Sequence, residues 1–234
     1  MVEKNMTFFD HLGELRKRLT RIVISLLIFS TIGYIYAFRI LDFLKARLPD
    51  ITITYQSLME PFMAKFKLGI LAGFLMSTPV IFYQILAFLS PALKGKERRF
   101  IYPMVAMMVT LFMLGAGVGY YYVLPIGAEW LLAQDEGELI RLLNVSQFIS
   151  FTTLFIIAFG VAFETPVALL VLMKLKIVSR DRLRKNWRIA YVSLLVISAM
   201  ATPDWSLPPM LIMSVFMIFL YEFTLFIARW MVKT

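Results

Sequence analysis

The sequence contains no cysteine and a single histidine, His11. The first absence excludes disulfides, thiolate nucleophiles and cysteine-ligated metals. The second leaves no multi-histidine metal cluster and no histidine for an intramembrane serine protease. The aspartates Asp10, Asp42, Asp50, Asp135, Asp181 and Asp204 all fall at the ends of apolar runs or between them, so an intramembrane aspartyl protease lacks its pair. Neither HExxH nor GxxxxGK[ST] occurs, which removes zinc proteases and P-loop ATPases. No enzymatic activity and no cofactor are expected. Charge is scarce too, at 17% of 234 residues against about 25% in a soluble domain.

What is present is apolar: 60% hydrophobic, 15% aromatic, with a mean hydropathy of +0.79. Crossing a hydrocarbon core takes about 20 apolar residues, and six stretches approach that length. They are Leu19–Phe38, Phe66–Ser90, Phe100–Val123, Gln147–Met173, Trp187–Thr202 and Leu207–Ala228. The first lacks a small-residue cleavage site and reads as a retained helix, not a signal peptide. No linker or composition shift divides the chain. The expected fold is an all-α integral membrane protein, a single domain over residues 1–234 with six transmembrane helices. Arg188 to Asp204 leaves room for only about 24 Å of helix, so the fifth and sixth helices are expected to be short and to thin the bilayer locally.

Of the 24 Lys and Arg, 18 fall on one side of these spans, in the N-terminal segment, the second and fourth loops and the tail. That bias places both termini in the cytoplasm. The net charge of +9 is spread over separate loops and does not form the basic, aromatic face of a nucleic-acid module. Gly69 with Gly73 and Gly115 with Gly119 have the GxxxG spacing of close helix contacts. Pro79, Pro103 and Pro166 should bend their spans and make the bundle concave. Ile40, Leu41, Phe43, Leu44 and Leu48 give the first outer loop one apolar face, which predicts a short interfacial helix.

Three acids stand out. In TFFDHLGELRKRL, Asp10, Glu14 and Arg18 follow one another at i, i+4 spacing, so Glu14 either pairs with Arg18 on a solvated face or takes an external cation. Glu97 sits among Lys96, Arg98 and Arg99. Two carboxylates on one membrane face suit two guanidinium groups, because the planar arginine fork binds carboxylate bidentately. Glu164, in FGVAFETPV, lies near the middle of the fourth span at a cost of roughly 2.5–3.5 kcal/mol if charged. It either helps the backbone that Pro166 frees or meets a partner or substrate in a cavity. Gln84 is a second polar candidate within a span.

The segments HLGELRKRL (11–19), YQILAFLSPALKGKERR (83–99) and FGVAFETPV (159–167) together resemble the TatC family, the polytopic core subunit of the twin-arginine protein translocase. The resemblance implies a receptor for the twin-arginine signal peptides of folded cargo. Such a receptor works with single-span TatA and TatB subunits, self-associates in a multi-copy complex and draws on the proton-motive force. By the family pattern, Glu14 and Glu97 recognise the paired arginines, with Leu15, Arg16, Arg18, Phe88, Pro91, Leu93 and Arg99 in the same motifs. Glu164 matches a buried glutamate on the concave side, and Pro49 and Phe62 match an outer-loop region needed for assembly. The fifth-to-sixth turn, MATPDWSLPP, is assigned no individual partner contact. Lacking a transit peptide, the chain is expected in the plasma membrane of a prokaryote. The alternative is a proton-coupled small-solute transporter using Glu164, although no internal repeat of the transporter kind is found.

Overall fold

Inside hydrocarbon every backbone N–H and C=O needs an internal partner, so apolar runs of this length fold as helices. The computed structural model describes residues 8–48, 52–89, 101–134, 142–174, 176–202 and 207–231. Its helices are α1 (Phe8–Ile35), α2 (Ala37–Lys45), α3 (Glu60–Leu89), α4 (Ile101–Val118), α5 (Leu124–Leu132), α6 (Val145–Ala162), α7 (Thr165–Lys174), α8 (Arg180–Lys185), α9 (Trp187–Ala201) and α10 (Leu207–Met231). A single π-helical turn, Gly119–Val123, joins α4 to α5. Two three-residue strands, β1 (Thr52–Thr54) and β2 (Leu142–Asn144), pair in parallel, with Thr52 opposite Leu142. Among the described residues five stretches of helix are long and apolar enough to cross a membrane, and α9 is a shorter apolar helix.

One expectation fails. The sixth helix is not short, since α10 runs 25 residues, about 37 Å. Its Glu222 carboxylate ties α10 to α8 and α9: Oε2 accepts from Arg184 Nη1 at 2.6 Å and Oε1 from the Tyr191 hydroxyl at 2.8 Å. The fifth, α9, has 15 residues and is short as expected. The first span also begins earlier than its apolar run, because the amphipathic segment from Phe8 belongs to the same 28-residue helix.

At one end of the bundle, which we call the α2 pole, the outer segments are tied to helix ends. Asn144 caps α6 through Oδ1, which accepts from the backbone N–H groups of Ser146 and Gln147, and its amide donates to Glu60 Oε1 at 2.9 Å. Lys67 on α3 donates to the Ser146 and Ser150 hydroxyls of α6 at 2.7 and 2.8 Å. Helix α2 buries Ala37, Leu41 and Leu44, the apolar face predicted for it, and the Tyr120 hydroxyl donates to the Phe43 carbonyl. The opposite end, the α8 pole, carries α8, the start of α1 and the end of α3. There Ser179 caps α8, and Arg180 and Tyr221 donate across to the carbonyls of Leu225 and Leu183.

Both GxxxG pairs serve packing. A Cβ on Gly69 would lie 2.9 Å from the Ser30 carbonyl oxygen, and one on Gly33 would lie 2.6 Å from the Ala72 Cβ. These glycines let α1 and α3 approach backbone to backbone. Gly115 and Gly119 do the same for α4 and the π turn against Phe159 of α6 and Phe163 just beyond it. Phe112 fills the centre, edge-on to Phe74 and Phe82.

Three of the ten prolines follow a threonine that is used in one repeated way. Proline lacks the N–H that would satisfy the carbonyl four residues back. Thr78, before Pro79, donates its hydroxyl to that carbonyl, Leu75 O, at 2.8 Å, and α3 runs on unbroken. Thr165, before Pro166, donates to Ala162 O at 2.6 Å. Thr202 donates to Ala199 O at 3.2 Å, and the next residue in the sequence is Pro203. Thr165→Val should therefore strand the Ala162 carbonyl and cost about 1–3 kcal/mol, with Thr165→Ser recovering most of it. Equilibrium unfolding in mixed micelles measures both.

Candidate functional site

Glu14 and Arg18 stand one turn apart on α1, and the structure joins them as their spacing predicts. Arg18 Nε donates to Glu14 Oε1 at 2.9 Å, and Nη2 closes a second bond to the same oxygen. The pair is not on a solvated face. Only 17% of the Arg18 side chain and 20% of Glu14 is exposed. The third nitrogen, Nη1, reaches α3 and donates to Gln84 Oε1 at 3.2 Å. Gln84 is itself buried. One acceptor is left over, because Glu14 Oε2 is buried and has no hydrogen-bond partner among the described residues. A buried carboxylate oxygen without a donor is costly, and here it lies beside exposed Leu15 and Arg16 at the α8 pole.

The α1–α3 seam sets this arrangement. From the Gly33–Gly69 contact, one residue back along α1 for each residue forward along α3 leads to Ser25 opposite Ser77. Those hydroxyls bond at 3.1 Å. The same count leads on to Arg18 opposite Gln84. Phe88 lies one turn beyond Gln84, half-buried.

Glu164 occupies the two-residue break between α6 and α7. Both of its carboxylate oxygens are buried without a partner among the described residues. The backbone that Pro166 frees is satisfied by the Thr165 hydroxyl, so Glu164 does not perform the repair suggested for it from sequence. Phe62 is half exposed on the first turn of α3. The remaining candidates, Glu97, Pro91, Leu93, Arg99 and Pro49, lie outside the described residues.

Gln84 lies within the membrane-length stretch Glu60–Phe88, and the fold adds a partner that its place in the span does not indicate, Arg18 of α1. The register of the glycine seam carried that information, but the sequence does not say which helix a GxxxG face meets. Among the described residues no group of three or more His, Cys, Asp or Glu could hold a metal ion.

The profile of a family described as Sec-independent protein translocase protein (TatC) matches residues 10–228. The chain belongs to the TatC family. The TatC of Carboxydothermus hydrogenoformans is 34% identical over 236 residues, covering 98% of this chain and 95% of that one. The TatC of Aquifex aeolicus is 34% identical over 230 residues, covering 96% and 95%. A crystal structure described as the twin arginine translocase receptor TatC in DDM superposes with a TM-score of 0.79 at 34% identity, covering 93% of this chain and 98% of that one. The resemblance drawn from three motifs is borne out along nearly the whole chain. Membership of the TatC family makes the chain a component of a Sec-independent protein translocase, held in a membrane by several helices.

Proposed function

We propose that this chain is the signal-peptide receptor and core subunit of a twin-arginine translocase. The observation that carries the reading is Glu14 Oε2, a buried carboxylate oxygen lacking a donor among the described residues, within a site already built to hold a guanidinium. An incoming arginine supplies the missing donor as a planar fork, and a lysine offers only a point charge. Glu97, in the adjoining basic loop, is the second carboxylate. Leu15, Arg16, Phe88, Pro91, Leu93 and Arg99 complete the entry site, and the apolar remainder of the peptide lies along the concave side of the bundle. The α8 pole and both termini face the cytoplasm, as the concentration of Lys and Arg supports, in the plasma membrane of a prokaryote. Residues 1–234 act as one domain and catalyse no reaction themselves.

Pro49 and Phe62 support assembly at the outer face, and copies of the chain associate with one another and with TatA and TatB subunits. Six helices of this size do not enclose a pore for folded cargo, so those partners complete the route and the proton-motive force drives it. Glu164, buried in the α6–α7 break, serves this later stage. Membership of a translocase family argues against a solute transporter built on that residue.

The test is binding of a labelled Arg-Arg signal peptide to the purified chain in nanodiscs, with a matched Lys-Lys peptide beside it. The Arg-Arg peptide should bind at least several-fold more tightly, since a hydrogen bond to a charged group is worth roughly 1.5–3 kcal/mol. Equal affinities would overturn the two-carboxylate reading. In the same preparation Glu164→Ala should leave capture intact and abolish transport once partners and an energised membrane are supplied.

A further inference from the structure

We infer that Gln84 is a positioning residue of the signal-peptide site, holding the Arg18 guanidinium when Glu14 is taken by an incoming arginine. The inference rests on the reading of Glu14 as part of that site.

Arg18 is the obstacle to its own receptor. In this structure its Nε and Nη2 both engage Glu14 Oε1, one of the two oxygens that a bidentate fork from the ligand needs. Glu14 Oε2 stands ready, but a second fork closes fully only if Arg18 loosens its hold on Oε1. Arg18 is more than four-fifths buried, and a buried guanidinium stripped of its carboxylate partner is strongly unfavourable. Some other acceptor must hold it. Among the described residues the acceptor at its far nitrogen is Gln84 Oε1, at 3.2 Å.

The chemistry of glutamine fits this duty. A neutral amide oxygen accepts from a guanidinium without cancelling its charge, so Arg18 prefers the Glu14 carboxylate when no ligand is present. When a ligand arginine competes for that carboxylate, the amide supplies a fallback. Gln84 is 6% exposed, and its place opposite Arg18 is fixed by the glycine seam and the Ser25–Ser77 bond. It cannot follow Arg18 elsewhere, and Arg18 does not need to travel far. The affinity for a paired arginine is then set in part by how strongly the side chain at 84 competes for Arg18.

Two substitutions at one position should therefore act in opposite directions. Gln84→Met keeps length and volume but removes the acceptor, leaving Arg18 on Glu14 and weakening the Arg-Arg peptide roughly two- to tenfold. Gln84→Glu offers Arg18 a second carboxylate, frees Glu14 and tightens the same peptide by a similar factor. A purely structural role would weaken binding in both variants or in neither. Both are made in the full chain in nanodiscs, with thermal melts confirming the fold, and Arg-Arg and Lys-Lys peptides are titrated into each. The same pair is repeated in an Arg18→Gln background, where both effects should vanish.

Changes of the same sign, no change in either variant, or effects that persist without Arg18 would overturn the inference. If the parent chain shows no preference for Arg-Arg over Lys-Lys, the receptor reading falls first and the inference falls with it. A parent preference combined with a failed pattern at 84 overturns the inference alone.

Discussion

Replacing Glu14 by glutamine should weaken binding of an Arg-Arg signal peptide at least about tenfold, the largest single effect expected at the site. Glu14→Gln keeps the shape of the side chain and one carbonyl oxygen. What it removes is the charge paired with Arg18 and the carboxylate character of Oε2, which has no donor among the described residues. A hydrogen bond to a charged group contributes roughly 1.5–3 kcal/mol, which sets the tenfold floor. Arg18 adds to the loss, because among the described residues its buried guanidinium would then have only neutral amides, Gln84 among them, as acceptors. Isothermal titration with nanodisc-embedded chain measures the change. The Lys-Lys peptide should lose much less, because it gains little from a bidentate acceptor. A Glu14→Gln variant with parental affinity would move recognition away from α1.

Gly73→Leu should detach α1 from the bundle. A Cβ at Gly73 would lie 2.7 Å from the Ser30 nitrogen and 2.8 Å from its Cα, so the collision is with backbone and cannot be relieved by a rotamer. Overpacking of a tight contact costs about 1–3 kcal/mol and occasionally more. Here it falls on a helix whose principal neighbour is α3. The whole seam should open together, taking the Ser25–Ser77 bond and the Arg18–Gln84 bond with it. The chain contains no cysteine, so a Ser25→Cys, Ser77→Cys pair gives a clean report. It should cross-link readily in the parent and poorly with Gly73→Leu. Gly117 has nothing within 4 Å of a built Cβ, and Gly117→Leu is the control that should cross-link normally.

The parts of the fold that depend on composition along the chain were legible. The apolar runs marked the helices, the apolar face of residues 40–48 marked α2, and the glycine spacings marked close contacts. Boundaries were less so, because hydropathy reports where lipid is and not where helix stops. Phe8 to Thr20 is continuous with the helix of the first span although its charged face keeps it out of the apolar run, and α10 runs on to Met231, three residues past the end of its apolar run at Ala228. The site was legible in half. Spacing alone links Glu14 to Arg18 within one helix. Gln84, 66 residues further along the chain from Arg18, becomes part of the same cluster only through the register of α1 on α3. Likewise, nothing in the segment FGVAFETPV says that Thr165, not Glu164, takes up the Ala162 carbonyl.

The threonine–proline steps constrain how this sequence can drift. At Thr78–Pro79 and Thr165–Pro166 the hydroxyl is useful only because the next residue withholds an N–H. Losing the threonine first leaves an orphaned carbonyl in an apolar helix, whereas losing the proline first restores an ordinary amide donor and makes the hydroxyl redundant. The two substitutions are therefore order-dependent: proline can go and threonine follow at little cost, but the reverse path crosses a destabilised intermediate. Each step behaves as a ratchet in sequence space, easier to leave through its second residue than through its first.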